Sequence, residues 1–100
     1  MGKNLQSLRQ EIDALDMELL KILNQRAMLS IDIGHIKTEI NAHEVSSPEG
    51  LVFQPKREHE IFNRLKDNNS GPLPSAHIEQ IWREILSSSR SLQNKLMQNS

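Results

Sequence analysis

The sequence predicts an all-α fold of three helices, one long and two shorter, assembled as an intertwined helical homodimer. Three observations lead there. Apolar residues in the first forty positions recur at helical spacing with no proline among them. Two further apolar-periodic segments follow, each opened by a helix-start signal and separated by turn residues. No segment shows the strict alternation of a strand. The dimer follows from length: at 1.5 Å per residue the first helix runs about 55 Å. A compact chain of this size has a radius of gyration of only about 13 Å. Two short helices cannot cover such a rod, so a second chain is expected to cover the rest.

The first helix is expected over about residues 4–42. Leu8, Ile12, Leu15, Leu19, Ile22, Leu29, Ile33, Ile36 and Ile40 fall on one line. With Arg26 inserted, the gaps alternate between four and three, a heptad seam. Leu5, Leu20, Leu23 and Ile31 flank it and widen the stripe beyond a two-stranded coiled coil. Gly34 is the one weak helix former, costing about 1 kcal/mol against alanine; close approach of another helix is its simplest explanation. EVSSPEGLV, residues 44–52, reads as a loop. Pro55 suits the first turn of a second helix, about 55–68, with Ile61, Phe62 and Leu65 on one face. NNSGPLP, residues 68–74, is a terminator and turn. Ser75 is placed to cap a third helix, about 75–97, which presents Ile78, Ile81, Trp82, Ile85, Leu86, Leu92 and Leu96.

One hundred residues make a single domain, residues 1–100. Composition then removes whole classes of function. Charged residues are 25% of the chain and nearly balanced, at a net charge of −1. That balance speaks against a nucleic-acid binder and against a polybasic membrane anchor. The absence of cysteine rules out disulfides, thiolate zinc sites and a cysteine nucleophile. His35, His43, His59 and His77 show no metal-ligand spacing on one helix, and no glycine-rich phosphate loop occurs. No cofactor is expected. Without a spanning segment or a signal-like N-terminus, a soluble cytoplasmic protein is the expectation.

What remains is a set of polar residues in apolar places. Arg26 sits on the seam with Ile22, Leu23, Leu29 and Ser30 at its helical neighbours and no acid among them. Lys37 has Ile33, Gly34, Ile40 and Asn41, again with no acid. Eleven residues separate the two, so three turns place them on nearly one face, about 16 Å apart. Arg9 lies about 25 Å from Arg26 on another face, and only an antiparallel partner helix could bring it to the same place. In the second helix Glu58 falls on the buried side with no base at helical spacing, and Arg57 lies beside it. In the third, Ser89 breaks the apolar seam and Gln93 follows one turn later. Each has a plainer reading. Arg26 and Glu58 could form an interhelical ion pair, Arg9 has Asp13 at i+4, Lys37 could reach water, Ser89 is small packing, and Gln93 a solvent-facing amide. As a set, their excess of donors suits a small anion with two carboxylates and a hydroxyl.

In these residues the chain resembles the all-helical chorismate mutases of the AroQ class. The resemblance rests on LRQEIDALDMELLKILNQRAMLSIDIGHIK, on QPKRE at the second helix, and on SSSRSLQ in the third. It runs from about Leu5 to Gln93 and is greatest to the N-terminal mutase module of bifunctional mutase–prephenate dehydratases. It implies the Claisen rearrangement of chorismate to prephenate. By position, Arg9 would reach into the partner's site and hold one substrate carboxylate, and Arg26 the other end of the dianion. Lys37 would hold the enolpyruvyl carboxylate and ether oxygen, Arg57 would line the cationic wall, and Glu58 would accept from the C4 hydroxyl. Ser89 would contact a carboxylate and Gln93 would donate to the ether oxygen. Gln54 stands where several members carry aspartate, so an amide replaces a carboxylate there.

The resemblance further implies a homodimer and a fusion to a dehydratase domain in a longer protein. Two rival readings remain at this point. The isochorismate–pyruvate lyases share the fold and the cationic cage, and differ in where the substrate hydroxyl sits. A non-catalytic helical dimerisation or regulatory module would account for the seam alone.

Overall fold

The computed structural model describes residues 2–41 and 54–98. The expected loop at 44–52 lies outside the described residues. Three helices are present: α1 (Leu5–Asn41), α2 (Pro55–Asn68) and α3 (Ser75–Gln98). The molecule is elongated, 64 × 26 × 15 Å, with a radius of gyration of 17.6 Å. That is well above the roughly 13 Å of a compact chain this long. Among the described residues no helix is long and apolar enough to cross a membrane.

Each helix starts for a local reason. At α1 the Asn4 carboxamide oxygen accepts the Ser7 N–H at 2.8 Å, and the Ser7 hydroxyl accepts the Asn4 N–H at 3.2 Å. This reciprocal pair satisfies two donors that the first turn leaves open. Pro55 opens α2, where its missing N–H has no helical partner to lose. Between α2 and α3 the Asn69 side chain organises the turn. Its oxygen accepts the Gly71 N–H at 3.0 Å, while its amide donates to the Leu73 carbonyl at 2.9 Å. Gly71 has φ of +79°, a conformation that a side chain disfavours. The cap position of α3 differs from expectation. The Pro74 carbonyl accepts the His77 and Ile78 N–H groups, and Ser75 is already helical.

α3 is the centre of the fold, because both α1 and α2 pack against it. The α1 surface that meets it is not the heptad seam. Among its part-buried or buried positions, Ala27, Ser30, Ile31, Gly34 and Thr38 form a stripe about a quarter-turn away from the seam. Ala27, Ser30 and Gly34 are small, which lets the two backbones approach closely. Leu86 of α3 is buried at this junction and is the one buried apolar side chain among the described residues. On the other flank, half-buried Ile61, Phe62 and Leu65 of α2 face α3, and the Arg83 guanidinium lies 5.7 Å from the Phe62 ring centre.

The seam itself is open. Leu8, Ile12, Leu15, Leu19, Ile22, Leu29, Ile33 and Ile36 are each between 43 and 62% exposed. This continuous apolar line exceeds what a soluble monomer ordinarily leaves bare.

Candidate active site

A cavity of about 450 Å³ lies where the three helices converge. α1 contributes Arg26, Ser30 and Lys37, which fall between the face packed on α3 and the open seam. α2 contributes Arg57 and Glu58 from its first turn, with Gln54 just before it. α3 contributes Ser89, Arg90 and Gln93. Leu29, Ile33, Ile61 and Leu86 form the apolar remainder of the wall. Four cationic side chains, Arg26, Lys37, Arg57 and Arg90, face one carboxylate, Glu58, among these lining residues. Such a surplus of positive charge in an apolar setting favours an anionic guest.

The contacts define how each group is held. Arg26 Nη1 donates to the Ser89 hydroxyl at 2.6 Å, and the Ser30 hydroxyl, only 5% exposed, meets the same oxygen at 3.0 Å. The partner of this guanidinium is thus a neutral hydroxyl, which orients the charge without cancelling it. Lys37 Nζ donates to Gln93 Oε1 at 3.1 Å. An ammonium has only donors to offer, so this contact requires the amide oxygen to face Lys37 and turns the Gln93 NH2 the other way. Gln93 is 8% exposed and is therefore not the solvent-facing amide of the plainer reading. Burial holds Lys37 below the ordinary ammonium value of 10.5, because a charged group is disfavoured where water is thin.

Glu58 departs from expectation. Its own helix supplies no base, but Arg90 Nη1 of α3 donates to its Oε2 in an interhelical ion pair. The Arg26–Glu58 pair that the sequence allowed does not form. Arg57 is exposed, its guanidinium 3.9 Å from Glu60, and Gln54 is the exposed residue preceding α2. Arg9 is exposed and outside this cavity, and makes no ion pair with Asp13 among the described residues.

Two polar lining residues escaped the sequence reading as site members, Ser30 and Arg90. For Arg90 a signal existed: a half-buried Glu58 with no base on its own helix demands one from a neighbour. For Ser30 the signal was weaker, a hydroxyl one turn from Arg26 on a stripe of small residues. A second hollow, about 640 Å³, lies in the angle between α2 and the first turns of α3. It is larger, but its cations Lys66 and Arg83 are balanced by Glu58 and Glu79, and Glu58 is the one expected site residue on its lining.

A family model described as chorismate mutase type II matches residues 8–94. The chain belongs to that family. Within this mutase family it is 37% identical over 98 residues to the bifunctional chorismate mutase/prephenate dehydratase of Aquifex aeolicus, a match covering 94% of the chain. It is 33% identical over 88 residues to the protein of the same description from Neisseria gonorrhoeae. The chain spans about a quarter of the length of these curated relatives, 25% and 22%. Among solved structures, chorismate mutase (form II) from Thermus thermophilus superposes with a TM-score of 0.78 at 32% identity. That match covers 91% of this chain and 94% of the other. The three-helix architecture of this chain is therefore shared with a solved chorismate mutase.

Proposed function

We propose that this chain is a chorismate mutase, an isomerase that converts chorismate to prephenate as a homodimer with two sites. The observation that carries the reading is the Arg26 guanidinium, held at the cavity wall by the Ser89 hydroxyl and not by an acid. A protein pays to bury such a charge unless a ligand completes it; here a dicarboxylate does so.

The reaction is an internal rearrangement. The ether C–O bond breaks as a new C–C bond forms, and no proton or group leaves the molecule. No acid, base or nucleophile is required, which suits a site without a reactive residue. Two requirements remain. The substrate must be folded so that its bond-forming carbons meet, and negative charge growing on the ether oxygen must be matched. Arg26 and Arg9 of the partner subunit, gripping separate carboxylates, meet the first. Lys37 and the Gln93 NH2 meet the second, and Lys37 itself orients that amide. A preorganised donor of this sort contributes about 3–4 kcal/mol. Two of them approach the roughly 8 kcal/mol at the low end of enzymatic acceleration. Ser89 adds a hydroxyl toward a carboxylate, Arg57 adds positive potential at the rim, and Glu58 accepts from the substrate hydroxyl. Gln54 sits at the mouth as a neutral neighbour of that hydroxyl.

The dimer is part of the same proposal. An antiparallel pair of α1 helices with its two-fold axis near Leu19 covers both seams. In that register Arg9 of the partner subunit lies opposite Leu29, on the wall of the cavity. One interface thus buries the open apolar line and closes the site. The names of the curated relatives pair the mutase with a prephenate dehydratase. We extend that pairing to the longer protein to which this chain would belong, in the cytoplasm, where the dehydratase would consume the prephenate made here.

The test is direct: purified protein is mixed with chorismate, and its ultraviolet absorbance and the appearance of prephenate are followed. No turnover sinks the mutase reading, and consumption of isochorismate instead would assign the lyase chemistry. A sharper check uses Gln93→Glu. A carboxyl donates only when protonated, so activity at neutral pH falls and recovers as the pH is lowered. A pH profile unchanged from the parent would remove Gln93 from the ether oxygen.

A further inference from the structure

We infer that Arg90 is a positioning residue for Glu58, and through it a determinant of where the substrate hydroxyl must lie. The inference rests on the mutase reading, since it concerns the hydroxyl contact proposed for Glu58. Three observations carry it. Arg90 Nη1 donates to Glu58 Oε2 across the α2–α3 junction. Both side chains are largely withdrawn from water, at 33% and 19% exposure. Both line the cavity that holds Arg26, Lys37 and Gln93.

A glutamate side chain has three rotatable bonds, and one standing on the first turn of a short helix is not fixed by its own element. Glu58 has no base at i±3 or i±4 to hold it. The guanidinium of Arg90 supplies that hold from α3, a planar donor whose direction restricts the carboxylate it meets. Because Oε2 is committed to Arg90, Oε1 is left as the acceptor for a single hydroxyl at one place. An ion pair with Arg90 also leaves Glu58 with less negative charge to set against the substrate's carboxylates. That removes an otherwise unfavourable like-charge contact with a dianion. Arg90 follows Ser89 directly, so the residue that carries Arg26 and the residue that carries Glu58 are neighbours on α3. One turn of α3 therefore aligns both ends of the site.

A residue acting only through Glu58 must lose its effect when Glu58 can no longer play its part. The test is a double-substitution cycle on kcat/KM for chorismate, with Arg90→Met, Glu58→Gln and the two combined. Arg90→Met is expected to lower kcat/KM about tenfold in the parent and less than about twofold in the Glu58→Gln background. Arg90→Lys, which keeps the charge and loses the planar fork, is expected to recover most of the loss. It also carries the test if the methionine variant fails to fold, as judged by circular dichroism. Melting temperatures of the same proteins report any purely structural share. An equal loss in both backgrounds would overturn the inference, since the effect would not run through Glu58. An Arg90→Met protein with parental kcat/KM would overturn it as well. A parent that does not turn over chorismate at all would instead remove the mutase reading, and the inference with it.

Discussion

Lys37→Ala lowers kcat/KM for chorismate by two to three orders of magnitude, about the loss seen when one preorganised donor to a developing oxyanion is removed. Two effects combine in that number. In the proposed mechanism the ammonium is itself a donor to the ether oxygen, and its contact with Oε1 fixes which way the Gln93 amide points. Without it the carboxamide is free to turn its oxygen toward the substrate, where it repels the growing charge. Lys37→Ala and Gln93→Ala should for this reason be less than additive when combined. The fold should survive, because the change removes a charge whose burial is unfavourable. A variant within tenfold of the parent would refute the role. The pH dependence follows from the same burial. Lys37 must be charged to act, and its free-protein value lies below 10.5. The alkaline limb of kcat/KM, which reports the free protein, is therefore expected below that value. Bound dianion stabilises the ammonium, so the corresponding limb in kcat lies at higher pH.

Leu19→Glu abolishes activity by a different route. Leu19 lies on the open seam at 55% exposure, at the place where the proposed two-fold axis crosses α1. A carboxylate there meets its own copy across the axis, in an interface that would otherwise be apolar. Sedimentation at micromolar concentration should show a monomer, and turnover should fall to background, because no second chain supplies Arg9. A monomeric variant with parental turnover would refute the shared site. Mixing gives an independent check. Arg9→Ala and Arg26→Ala chains are each expected to be nearly inactive alone. Refolded together in equal amounts, half the dimers are mixed, and each of those has one intact site. About a quarter of parental activity should return. No recovery would mean that Arg9 and Arg26 serve the same chain.

Much of this was legible without coordinates. The three helices and their order follow from apolar spacing, from Pro55, and from the NNSGPLP turn. These are local signals, and helices form from local contacts. The expectation that α1 is too long to be covered by its own chain agrees with the bare line from Leu8 to Ile36. The prominence of Arg26 and Lys37 was also legible, since a cation among aliphatic neighbours contradicts its surroundings whatever the partners prove to be.

Partner identity was not. Sequence spacing reports neighbours on one helix, and it said only that Glu58 had none. It could not say that Arg90, thirty-two positions away, would supply the missing base. For the same reason spacing alone did not name the face of α1 that meets α3. The heptad seam is the stronger apolar signal, yet α3 lies against Ala27, Ser30 and Gly34, because small side chains permit a closer approach than large ones. What the chain alone determined is where charges and apolar residues fall along each helix. What only the tertiary structure decided is which helix faces which, and so which donor meets which acceptor. Helical periodicity is a property of one element, whereas a contact between helices depends on the shape of both.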